Sequence, residues 1–168
     1  DSYVNIRKRS IGLLIMSNEL VVKSNHVIEA SYKLTLNEQR LILLCVRQIK
    51  KGQKITADSR FDISAADFAD MFEISADRAY SELQAVTDKL YERSVTIQQP
   101  DPERPNVAAT KTRWVSAIDY MPNEGRVSIY FAVRMVPYIS MLEGGFTRYN
   151  LQNISGMSSV YGIRFYEF

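Results

Sequence analysis

Few side chains in this 168-residue chain belong to the types that do covalent or metal chemistry, and they are poorly grouped. There is one histidine, His26, and one cysteine, Cys45. Zinc sites of the Cys and His type need three or four such ligands, so no metal is expected. His26 stands in a polar helix start, away from any Ser-His-Asp arrangement. Cys45 lies in an apolar helical segment, where a thiol behaves as a small hydrophobe and not as a nucleophile. A single cysteine makes no intramolecular disulfide, which fits a reducing compartment. Asp67-Phe-Ala-Asp70 sets two carboxylates at i, i+3, a spacing that can hold a cation but that solvated helix faces show more often. Gly144-Gly145 lacks the strand-then-helix context of a phosphate loop, and the G-x-S-x-G, G-x-x-x-x-G-K-[ST] and G-x-G-x-x-G patterns are absent. The expectation is a non-enzyme without a cofactor.

The side chains that remain are suited to binding. Arg78, Ser81 and Gln84 share the outer face of a helix whose inner stripe is Ala79, Leu83, Val86 and Leu90. They could read or position DNA, although Asp77 and Asp88 on the same face would repel phosphates. Lys111, Arg113 and Arg126, expected together at a β-hairpin, could neutralise phosphates. Outward charges also protect exposed strands from mispairing, and the two readings weigh about equally.

The elements that would position these residues are legible in outline. Hydrophobic residues make up 46% and charged residues 24%, as in ordinary globular domains, which excludes disorder for the bulk of the chain. No apolar run approaches the ~20 residues of a transmembrane helix, so no membrane association is expected. Residues 1–15 resemble a signal peptide only superficially and read as an extension outside the core, with 16–168 as the domain. Leu20–Lys23 reads as extended, and Ser24 caps a short helix to about Ala30. Thr35-Leu-Asn-Glu38 is a capping box for a buried helix running to about Lys50, where Lys50-Lys51-Gly52 stops it. Its Leu41–Val46 stretch would be aggregation-prone if exposed.

Ser64 starts a short helix with Phe68, Met71 and Phe72 on its apolar face; Ile74 fills a turn, and Ser75 caps the helix that bears Arg78. Two short helices joined by a tight turn follow the helix-turn-helix plan. Ser94–Gln98 alternates as a strand, and Pro100, Pro102 and Pro105 make a loop. Arg113–Tyr120 and Arg126–Phe131 form a β-hairpin around a Pro/Asn/Gly turn. Val133–Leu142 reads as a helix that Pro137 either kinks or opens, and Gly144-Gly145 breaks it. Leu151–Ile154 is a short helical turn. A last helix from Ser158 reaches the end of the chain without a cap, as expected of a domain cut from a longer protein. The fold class expected is α+β: a winged helix, with a helix-turn-helix, a hairpin wing and additional helices.

The net charge of +2 is unevenly spread. Residues 1–54 carry ten basic and four acidic side chains, residues 55–106 five and eleven, and residues 107–168 six and four. Such variation can simply solvate a domain; alternatively, basic flanks face a polyanion while the acidic middle faces elsewhere.

At this point the chain resembles a known family, the N-terminal winged-helix domain of iteron-binding plasmid replication initiators of the Rep type. The matching residues are Leu20–Asn25, Ala30–Leu34, Glu38–Leu43, Phe68–Phe72 with Ala79-Tyr80, Thr112–Val115, Phe146–Tyr149, Ile154-Ser155 and Tyr161–Glu167, in order across 20–168. The resemblance implies a two-domain initiator whose second domain is absent from this chain. It implies monomers on origin direct repeats that start replication with host proteins, and dimers on an inverted repeat that repress the initiator's own gene. In that division the second domain does most base reading, while the first contacts the DNA backbone and carries the dimer interface. The hairpin is the expected interface, with Val127, Ile129 and Phe131 on one face and Trp114, Ala117 and Tyr120 nearby, unless that face is simply core. The alternatives are a stand-alone winged-helix repressor, which Asp77 and Asp88 disfavour, and a pure dimerisation module without DNA contact.

Overall fold

The computed structural model describes residues 33–98 and 101–146. The extension, the Leu20–Lys23 segment, the helix bearing His26, the Leu151–Ile154 turn and the final helix lie outside the described residues.

Helix α1 (Leu36–Val46) opens on the expected capping box. The Glu38 amide donates to Thr35 Oγ1 at 3.3 Å, and the Thr35 amide donates to Glu38 Oε2 at 2.6 Å. Residues Leu41 to Val46 are all buried, so the helix runs through the core instead of along its surface. It ends at Val46, short of Lys50. The amides of Gln48 and Ile49 bond three residues back, to Cys45 and Val46, and this tight turn brings Ile49 into the core. Lys50-Lys51-Gly52 forms a separate turn, with Gly52 at φ 77°.

Strand β1 (Phe61–Ser64) was not foreseen: four residues with Phe61 and Ile63 inward give little periodicity. Ser64 then caps α2 (Ala65–Phe72), accepting from the Asp67 amide at 3.0 Å. Glu73 takes the left-handed conformation (φ 56°) that ends α2, and the Ile74 amide reaches back to Ala69 O. Helix α3 (Ala79–Glu92) starts later than a Ser75 cap implies. Ser75 O instead accepts from the Arg78 amide, closing a turn before the helix, and Ala79, Leu83, Val86 and Leu90 form its buried stripe as expected.

Two hairpins follow where one was expected. Strands β2 (Ser94–Gln98) and β3 (Ala109–Arg113) pair with each other around the proline loop. Strands β4 (Val115–Met121) and β5 (Arg126–Phe131) form the second hairpin, around a 3-10 turn at Pro122–Glu124 and left-handed Gly125. Arg113 and Trp114 therefore do not open β4. Trp114 is buried between the two hairpins, and a register shift between Val115 and Ala117 follows it. The main sheet has the order β1-β5-β4, all antiparallel. Helix, strand, helix, helix, strand, turn, strand is the winged-helix sequence of elements, with β2–β3 inserted between α3 and β4. Helix α4 (Val136–Phe146) places Pro137 in its first turn, where no amide is needed, and continues through Gly144-Gly145. Pro137 thus opens the helix, and the glycine pair does not break it.

Candidate nucleic-acid interface

The inserted hairpin separates its side chains cleanly. Val95 and Ile97 point into the core. Their neighbours on the other face are paired as Ser94 with Arg113, Thr96 with Lys111 and Gln98 with Ala109. All six are exposed. The result is a pleated face with two cations, two hydroxyls, one amide and no carboxylate. Such groups hold phosphate and sugar oxygens without reading sequence. Arg113 also ties this hairpin to α3. Its Nη1 donates to Tyr91 O at 3.0 Å, its guanidinium lies 5.5 Å from the Tyr91 ring centroid, and Glu92 Oε2 is 3.4 Å away. A cation there complements the carbonyl-rich end of the helix, so Lys111 is the freer of the two charges.

The outer face of α3 carries Arg78, Ser81 and Gln84, all exposed as expected. Arg78 Nη2 pairs with Glu82 Oε1 at 2.7 Å, and the Ser81 hydroxyl donates to Arg78 O at 3.0 Å. Asp88 keeps its charge on this face but is held in place: the Tyr120 hydroxyl of β4 donates to its Oδ1. Burial, followed by the hydrogen bond and negative charge of Asp88, pushes the Tyr120 hydroxyl up to about 12. This link between wing strand and helix crosses 32 residues, and no local pattern announces it.

Arg126 is exposed but stands apart from Lys111 and Arg113. It begins β5 in the main sheet, beside Ser64 and Met121. The six candidate residues therefore fall into three groups: α3, the inserted hairpin and the wing. Ser94, Thr96 and Gln98 were missed; the alternation of Ala109-Thr-Lys-Thr-Arg113 is the signal that pairs them with cations.

Four of the six residues expected at a dimer interface are interior. Trp114, Val127, Ile129 and Phe131 each keep 1% or less of their surface, and Phe131 packs edge-on against Phe61 at 5.4 Å. A side chain with at most 1% of its surface accessible has no area to bury against a second copy. One face of the hairpin is core because α1, α3 and the sheet close around it. Ala117 and Tyr120 remain exposed.

Cys45 is fully buried, and burial pushes its thiol well above the ordinary range, which keeps it protonated. Among the described residues, no group of three or more His, Cys, Asp or Glu is placed to hold a metal ion. Among the same residues, no helix is long and apolar enough to cross a membrane.

A winged-helix core with an extra polar, cationic hairpin defines a class of nucleic-acid-binding folds, and the comparisons make it specific. Residues 20–168 match the family described as Initiator Replication protein, WH1, and the chain belongs to that family. It is 27% identical over 154 residues to an Escherichia coli replication initiation protein, covering 90% of this chain but 46% of that one. It is 24% identical over 163 residues to an uncharacterised 27.6 kDa Escherichia coli protein, covering 91% of this chain and 67% of that one. Among solved structures it is similar to the MSBI1.176 WH1 domain, a replication protein isolated from a multiple sclerosis patient. That match has a TM-score of 0.62 at 34% identity and covers 78% of this chain and 99% of the other. The Pi initiator protein, solved in complex with iteron DNA, shares the fold with a TM-score of 0.65 at 23% identity, covering 82% of this chain and 57% of that one. The chain thus spans about half the length of the first of these curated relatives.

Proposed function

We propose that this domain serves plasmid replication initiation by holding the DNA backbone, chiefly through the outer face of the β2–β3 hairpin. The observation that carries the reading is the carboxylate-free face of Ser94, Thr96, Gln98, Lys111 and Arg113, fastened to the end of α3. Family membership and the DNA bound to the Pi initiator support it. Arg78, Ser81, Gln84 and Arg126 add contacts at α3 and the wing. The sequence-reading part of the initiator is expected in a second domain. Pairing of two copies, repression by the pair at an inverted repeat, work with host replication proteins and a cytoplasmic location belong to the same reading, and no catalysis is required of it. Of the residues expected at the dimer interface, Tyr120 and Ala117 are exposed and available for pairing. A pure dimerisation module is the second reading, favoured by the four acidic residues Asp77, Glu82, Asp88 and Glu92 on or beside α3.

Fluorescence anisotropy with a direct-repeat origin duplex and a scrambled duplex separates the two. Lys111→Glu should weaken both duplexes alike and lower the slope of log K against log salt by about 0.9, the value for one phosphate contact. Unchanged affinity and slope would exclude backbone contact by the hairpin and leave the dimerisation module.

A further inference from the structure

A second feature of the inserted hairpin faces away from its cationic strand face. Between residues 101–107 and the start of α4 lies a groove of about 440 Å³. Tyr138 lines its buried part, and Pro102, Val133 and Pro137 form exposed walls. Val133 is 65% exposed, the most exposed of the large hydrophobic residues described. Arg104 and Arg134 stand at the groove, and among the described residues neither makes an ion pair. One carboxylate also lines it, Asp101, whose Oδ1 accepts the Glu103 amide at 2.9 Å, so two cations face one anion in the groove.

We infer that this groove docks a short segment of a partner protein, in which a bulky apolar side chain sits between carboxylates. The volume falls in the range of about 300–1,000 Å³ usual for built binding sites. Two prolines stiffen the walls, so little order is lost on binding. The apolar walls reward a buried aliphatic or aromatic anchor. The two uncommitted guanidiniums favour carboxylates on either side of it, held by paired N–H···O bonds. Nucleic acid fits the surface less well, because a phosphate backbone offers nothing to cover Val133 and Pro137. The inference does not depend on DNA contact by the β2–β3 face.

The test pans a phage-displayed heptapeptide library against the full 168-residue chain and measures the selected peptides by calorimetry. The comparison proteins are Val133→Glu, Arg134→Glu and Arg104→Glu, all changed at exposed positions and checked for unaltered melting temperature. Selected peptides should carry acidic residues flanking an aliphatic or aromatic one. They should lose at least tenfold in affinity on each variant that melts like the parent. Failure of any sequence to be enriched, enrichment without carboxylates, or equal binding to the variants would overturn the proposal. So would a duplex that displaces the peptide from the parent and binds the Arg104→Glu and Arg134→Glu proteins tenfold more weakly, since the groove would then belong to nucleic acid. Lys111→Glu, which probes the other face, should leave peptide affinity unchanged.

Discussion

Removing the Arg93 guanidinium strands a carboxylate in the core. Glu38 is fully buried; its Oε1 accepts Arg93 Nε at 2.9 Å and its Oε2 accepts the Thr35 amide at 2.6 Å. Breaking a buried pair by deleting one partner costs about 3–5 kcal/mol. Two features place Arg93→Ala near the lower end, at about 3 kcal/mol. The Thr35 amide still holds one oxygen, and the Arg93 side chain is 39% exposed, so water can enter the space it leaves. Glu38→Gln is the milder change. Glutamine keeps the volume and the acceptor for Thr35, but its NH2 replaces Oε1 without a partner while the arginine turns to solvent, so the loss is about 1 kcal/mol, the low end for a buried donor left unpaired. In a domain of this size those losses lower Tm by roughly 6–12 °C and 2–4 °C respectively. Urea unfolding followed by the fluorescence of Trp114, the sole tryptophan and a buried one, reads both. The midpoint should fall while the m-value holds. Because Arg93 caps α3 and leads directly into β2, Arg93→Ala should also weaken DNA binding. Equal losses for the two variants, or a loss below about 1 kcal/mol for Arg93→Ala, would refute the idea that burial of Glu38 sets the asymmetry.

Three further outcomes are expected. Absorbance titration should show one tyrosine ionising at about 12; because its folded value lies above the usual 10, the stability it contributes is present below pH 10 and lost as pH rises towards 12, and Asp88→Ala should lower that midpoint. Gly125→Ala should lower stability by about 1 kcal/mol in a thermal melt, since φ is +61° and the added Cβ meets nothing within 4 Å, leaving backbone strain alone. Phe131→Ala should cost about 3–5 kcal/mol at every protein concentration tested, because the ring is core; a loss that grew on dilution would return it to an interface.

Local chemistry was legible in the sequence wherever a single element decides it. The capping box at Thr35 and Glu38, the Ser64 cap, the Ala79–Leu90 stripe and the wing turn at Pro122–Gly125 each need only neighbours within one or two turns of chain. These signals, with the order of elements, carried the winged-helix reading and placed Arg78, Ser81 and Gln84 on an outer helix face. Tertiary structure decided the rest, because it depends on which distant segments meet. Pairing with β2 divided Ala109–Arg113 from β4 and made one cationic face with Thr96 and Gln98. Closure of α1 and α3 over the main sheet turned Trp114, Val127, Ile129 and Phe131 into core, although alternation alone could not say which hairpin face would be covered. Tyr120 and Asp88, like Glu38 and Arg93, are joined across stretches that no local periodicity spans. Sequence spacing fixes which face of an element a side chain occupies; only packing fixes what that face meets.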